Sequence, residues 1–170
     1  MALTKLNNNS LHAITDASAL KNVTGTVLQV QQVELTQRHH INTTSRTGLS
    51  GGVTSLSITP KFASSKILVQ TNMDCIAYNP GTIRAVLVRN PPGANTDVSQ
   101  LGWYAQGSHW QAFNTNFCYL DSPATTSALS YYVEWRLDQN EIYVNYANTG
   151  VGFGSVNDSR STITAMEIAG

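Results

Sequence analysis

The chain has 170 residues, ten basic and ten acidic, so it carries no net charge, and only 12% of its residues are charged, against about 25% in ordinary globular domains. That balance argues against a nucleic-acid binder, which needs a basic face, and against a polybasic membrane-surface protein. A hydrophobic fraction of 41% is enough for one core and unlike a disordered chain.

Thr, Ser, Asn and Gln make up roughly a third of the residues, far above ordinary usage. This is the composition of β-structure with neutral polar faces. No segment approaches the ~20 apolar residues that span a bilayer. The start, Met1 to Asn9, has no apolar stretch of the kind a secretory signal needs. Cys75 and Cys118 are too few for a disulfide scaffold and read as two small core residues.

Residues 1–24 differ from the rest. Leu3, Leu6, Leu11, Ile14 and Leu20 are spaced by polar residues, with Asn7-Asn8-Asn9 between them. Asn is a poor helix former in a helix interior. Apart from a possible turn of helix over Asp16–Leu20, the segment reads as an extended arm. Isolated leucines make no core of their own: they either fold back or dock on a neighbouring chain, and docking on partner subunits is the role expected of these five.

Residues 25–170 read as one β-rich head. Thr26–Gln37 is a strand whose alternation slips near Gln31-Gln32, as a bulge would cause. Arg38–Gly52 is polar and ends in a glycine-rich loop. Val53–Thr59 is a short strand stopped by Pro60. Lys66–Tyr78 alternates well, with Ile67, Val69, Met73, Cys75 and Ala77 on one face. Asn79-Pro80-Gly81 turns the chain, and Thr82–Asn90 follows as a strand. Ala94–Gln111 is long and less regular, and Phe113–Leu120 is a strand. Ala128–Leu137 has the clearest two-face pattern, with Leu129, Tyr131, Val133, Trp135 and Leu137 together. Ile142–Ala147 reads as its hairpin partner across Asp138-Gln139-Asn140. After a Gly-rich loop, Ser161–Ile168 is the last strand. About eight strands separated by turn signals predict an all-β, antiparallel sandwich or jelly roll with an N-terminal arm.

Candidate chemistry is sparse. Gly48-Leu49-Ser50-Gly51-Gly52 matches the spacing of a hydrolase nucleophile elbow, but that device needs a strand before the serine and a helix after it. Gly150-Val151-Gly152-Phe153-Gly154 lacks the helix that a phosphate loop requires. His39 and His40 are adjacent, so on a strand they point to opposite faces and converge on no metal. The carboxylates are few and scattered. No catalytic, cofactor or metal constellation is expected, and the chain reads as a non-enzyme. The segment Leu101–Gln111 gathers Trp103, Tyr104, His109 and Trp110 among small polar residues. These four are candidates for core packing, a protein interface or contact with a glycan.

Three stretches carry a resemblance. Ile58-Thr59-Pro60-Lys61-Phe62-Ala63-Ser64-Ser65-Lys66-Ile67-Leu68-Val69 resembles a recurrent segment of virion structural proteins of tailed phages, cyanophages in particular. Tyr119-Leu120-Asp121-Ser122-Pro123 with the residues on to Leu129, and Ser159 to Ala169, are similar to the same proteins, as is the opening Leu6-Asn7-Asn8-Asn9-Ser10. Members are tail-fibre heads and other structural proteins. The resemblance implies a jelly-roll head that assembles as a homotrimer on the virion surface, made in the host cytoplasm, with no cofactor. The chain lacks the long repeat or heptads of a fibre shaft. It therefore looks more like a capsid decoration (cement) trimer that clamps major capsid subunits. A short tail-fibre or tail-tip module for a host surface glycan is the alternative.

Overall fold

The computed structural model describes residues 24–49, 54–78, 81–90, 95–105, 110–139, 141–146 and 159–170. Twelve strands form two antiparallel sheets, and there is no helix among the described residues. The strands are β1 (Val27–Leu35), β2 (His39–Ile41), β3 (Thr47–Gly48), β4 (Leu56–Ile58), β5 (Lys66–Tyr78) and β6 (Gly81–Asn90). They continue as β7 (Thr96–Ala105), β8 (Trp110–Thr115), β9 (Cys118–Asp121), β10 (Leu129–Leu137), β11 (Glu141–Val144) and β12 (Ser161–Ile168).

Several of these are halves of one broken strand. β12 pairs Lys66–Asn72 of β5, and β11 pairs Cys75–Tyr78 further along it. β9 and β8 divide β5 in the same way. β1 pairs β12 while β2 pairs β11. In the second sheet, β3 and β4 both pair β10. Counted as continuous rows in chain order, the rows are β1–β2, β3–β4, β5, β6, β7, β8–β9, β10 and β11–β12. Sheet one then runs first, eighth, third, sixth, and sheet two runs second, seventh, fourth, fifth. That order is the eight-stranded jelly roll, two Greek keys wrapped into a sandwich.

The alternation that specifies the strands also specifies the core. Ile67, Val69, Met73, Cys75 and Ala77 of β5 are all buried, with Ile142, Val144, Ile163 and Ala165 beside them. Leu129, Tyr131, Val133, Trp135 and Leu137 of β10 belong to the same buried cluster, as do Ile83, Ala85 and Leu87 of β6. Asn79 and Pro80 of the expected turn lie outside the described residues; Gly81, which follows them, has φ 64°, and a Cβ there would lie 3.5 Å from the Asp138 Cβ. Any side chain there would be strained in the left-handed region.

Three expectations need correction. β11 is no hairpin partner of β10: it crosses into sheet one and pairs β5 and β2. Turn chemistry at Asp138-Gln139-Asn140 is the same whether the chain returns along its own sheet or crosses to the other. The irregularity in β1 lies between Val27 and Gln29, earlier than Gln31-Gln32. Cys75 is buried, but Cys118 is exposed on the outer side of an edge strand.

Candidate interaction surface

The residues of the resembling motifs are used inside the molecule. Glu167 of β12 points inward and is fully buried. Its carboxylate accepts hydrogen bonds from the Lys61 backbone N–H at 2.7 Å, the Ser65 hydroxyl at 2.7 Å and the Gln29 side-chain amide at 2.6 Å. The Pro60–Ser65 loop is thereby tied to the last strand, which joins the first motif to the third. Asp121 of the second motif accepts from Arg89 Nη1 at 2.8 Å on both oxygens. It also accepts from the Tyr131 hydroxyl at 2.7 Å and the Ser122 backbone N–H at 2.8 Å. Asp121 belongs to sheet one, and Arg89 and Tyr131 belong to sheet two, so this cluster ties the sandwich together. Burial, and then the adjacent Asp121, pushes the Tyr131 hydroxyl well above the usual tyrosine range.

The outer face of sheet one is different in kind. Cross-strand register lines up Val30, Met166, Leu68 and Leu120 in one row across all four strands. Val30 is 53% exposed and Leu120 46%, while Leu68 and Met166 are half-buried. Three steps between strands make the row about 14 Å wide. Val27 and Ile168 extend it along one edge. Next comes a neutral row of Gln32, Thr164, Gln70 and Cys118.

At the far end of the same face stands an aromatic cluster. His40 stacks on Tyr143 with ring centroids 4.5 Å apart, and its Nε2–H donates a 2.8 Å hydrogen bond to the Glu141 carboxylate. Tyr143 also meets Trp110 at 5.6 Å and Tyr146 at 4.6 Å, and Trp110 meets Tyr78 at 5.1 Å. Burial, then the hydrogen bond with Glu141, pushes the Tyr143 hydroxyl up to about 12.

Sheet two turns charge outward. Arg46 forms ion pairs with Glu134 and with Asp97, the latter at 2.5 Å. The hydrogen bond from Arg46 holds the Asp97 carboxyl below the usual carboxylate range. Arg84 and Arg136 are exposed on the same face. The two faces of one sandwich therefore differ in arrangement: sheet one carries an apolar row and an aromatic cluster, with charges such as Lys66 and the Glu34–Arg160 and His40–Glu141 pairs set around them, whereas sheet two gathers paired and unpaired charges at its centre.

The four aromatic candidates do not form one site. Trp103 faces inward from β7, half-buried, with its ring 5.4 Å from Phe113. Tyr104 is 70% exposed on the outer face of sheet two. Trp110 belongs to the aromatic cluster of sheet one, and His109 lies outside the described residues. Leu3, Leu6, Leu11, Ile14 and Leu20 also lie outside them, as does Gly150–Gly154. His39 is buried and His40 half exposed, pointing to opposite sides of β2. A cavity of about 150 Å³ beside them is lined by His39, Asn42, Thr43, Thr47 and Leu49. Among the described residues, no group of three His, Cys, Asp or Glu side chains could hold a metal.

No family model matches the chain, and no curated protein matches it. Solved structures resemble it in fold. An Eiger TNF from S. frugiperda is 7% identical, with a TM-score of 0.48 over 82% of this chain and 92% of that one. Murine APRIL is 8% identical, with a TM-score of 0.38 over 82% of this chain and 99% of that one. A subviral particle of infectious bursal disease virus is 14% identical, with a TM-score of 0.39 over 84% of this chain and 33% of that one.

The apolar row was missed in the sequence because its four residues come from four distant segments. Each looks like an isolated outward residue until register is known. The usable signal was local: Tyr119 and Leu120 are consecutive, so one of them has to face out of β9.

Proposed function

We propose that this chain is a non-enzymatic structural protein of a tailed-phage virion, a homotrimeric capsid decoration protein that clamps major capsid subunits from the virion surface. The observation that carries the reading is the apolar row Val30–Met166–Leu68–Leu120 across the full width of sheet one. The largest contiguous apolar patches on a protein surface tend to mark interaction sites. Copies of the chain are the proposed occupants. The row bears no charge, so identical copies meet there without repulsion, and the remaining charges of the opposite face stay in solvent. The motif resemblance supports the same reading. The arm leucines, Leu3 to Leu20, are assigned to the capsid or to neighbouring trimers, through apolar burial and added backbone pairing.

A short tail-fibre or tail-tip module that contacts host glycan is the second reading. The exposed Tyr104 favours it.

Sedimentation equilibrium tests the assembly. The native chain is expected as a trimer and Leu120→Lys as a folded monomer, with an unchanged β-sheet circular dichroism spectrum. A native chain that stays monomeric overturns the assembly. Deleting residues 1–20 is expected to leave the trimer intact and abolish its binding to shells. Normal binding by the truncated chain overturns the arm's role.

A further inference from the structure

Arg84 of β6 and Arg136 of β10 are direct cross-strand partners on the outer face of sheet two. Like charges directly opposite each other destabilise a sheet. Among the described residues neither forms a salt bridge, whereas Arg46, Arg89 and Arg160 each have a carboxylate partner. The two arginines line a cavity of about 140 Å³ with Arg46, Val86, Asp97 and Gln100.

The strand on the other side of Arg84 leaves this trough open. Gly102 of β7 is the register partner of Arg84. Among the described residues, a Cβ at Gly102 would meet only the Ile83 carbonyl, at 3.8 Å, so none of their side chains fills the space there. Two residues either way on the same face stand Gln100 and Tyr104, the latter 70% exposed. The arrangement has two cationic forks side by side, the Arg46–Asp97 ion pair beside them with its charge already matched, an uncharged amide, an open floor and an exposed aromatic ring.

We propose that this trough is a binding site for an acidic saccharide. The two guanidinium groups take the carboxylate or sulfate, as such groups do in bidentate geometry. Gln100 hydrogen-bonds hydroxyls, and a sugar ring lies over Gly102 against Tyr104. An acidic peptide would satisfy the charges but would leave the amide, the flat floor and the ring unused. The site is on the face opposite the apolar row, so it remains open whether or not sheet one is covered, and it stands independently of the assembly proposed above.

Titration calorimetry on the full chain tests this with four probes: oligogalacturonate, chondroitin sulfate oligomers, neutral dextran oligomers and oligoglutamate. At least one acidic saccharide is expected to bind, with affinity that falls as salt rises, while dextran does not bind. Arg84→Gln and Arg136→Gln are each expected to weaken binding about tenfold or more and to raise the melting temperature slightly, since each removes a like-charge contact. Arg160→Gln, at the edge of sheet one, leaves binding unchanged. Tyr104→Ala weakens the saccharide without affecting oligoglutamate. Absence of binding by both acidic saccharides overturns the proposal. So does binding that Arg84→Gln and Arg136→Gln leave intact, or oligoglutamate binding as tightly as the saccharides.

Discussion

Asp121 holds two sheets together with one carboxylate, and its partners are Arg89, 32 residues away, and Tyr131. Replacing it with Asn removes the charge but keeps the shape. Arg89, only 17% exposed at its side chain, then loses its counter-charge. Breaking such a buried pair costs about 3–5 kcal/mol. Tyr131→Phe removes one hydrogen bond and costs less, about 1–2 kcal/mol. Tyr131 has its hydroxyl pushed upward by burial. Its contribution is therefore fully present below the ordinary tyrosine pKa of about 10 and is lost as pH rises through the higher folded value. Urea unfolding at neutral pH is expected to rank the two variants in that order, and a smaller loss for Asp121→Asn would show that the pair does not hold the sandwich. In the sequence Asp121 looked only like a turn residue before Ser122-Pro123, and Glu167 like one polar position in a final strand. The donors that satisfy Glu167 are up to 138 residues away. No local pattern can reveal such a partner, although both residues lie in the stretches that carry the resemblance.

At the scale of elements, the breaks in sheet one fall along one line. β1 gives way to β2 after Leu35, and β11 stops at Val144. β8 gives way to β9 near Phe117, whose N–H and carbonyl both bond Thr71 of β5. Asn145 sits on that line, fully buried, at φ 63°. Its side-chain amide donates to the Leu35 carbonyl at 2.7 Å and the Gln37 carbonyl at 2.9 Å, and it accepts from the Ser161 hydroxyl at 2.5 Å. One residue thus joins the end of β11, the start of β12 and the β1–β2 junction. Asn145→Gly loses these bonds but tolerates the backbone, whereas Asn145→Ala loses them and adds left-handed strain of about 1–2 kcal/mol. Both variants are expected to unfold at lower denaturant, the Ala variant lower still by that increment. Equal midpoints would mean that the backbone at this position is not strained. The strands themselves were legible, because period-two alternation in Lys66–Tyr78 and Leu129–Leu137 specifies inward faces directly. The breaks were not, since a junction spanning four segments leaves no mark in any one of them beyond an Asn.

At the scale of the molecule, the two cysteines report on which face is covered. Cys75 lies in the core, and burial pushes its thiol up to about 12. The thiolate is the reactive form, so Cys75 is expected to be inert to a thiol reagent near neutral pH while the chain stays folded. Cys118 is exposed and stands beside Gln70 in the row next to Met166, Leu68 and Leu120. Copies that pack through that apolar row have to cover Cys118 as well. The native chain is therefore expected to show no rapidly reacting thiol when assembled and one per chain on dilution. Leu120→Lys is expected to show one at any concentration, and every form two after unfolding. Cys118→Ser removes the rapid phase and identifies its source. Assembly through sheet two would leave Cys118 reactive in the oligomer, so a trimer with one fast thiol per chain would move the contact to the charged face. The low charge of the chain bears on the same choice. Charges recur in every copy around a symmetry axis, and the row on sheet one, with the neutral row beside it, has none to repeat.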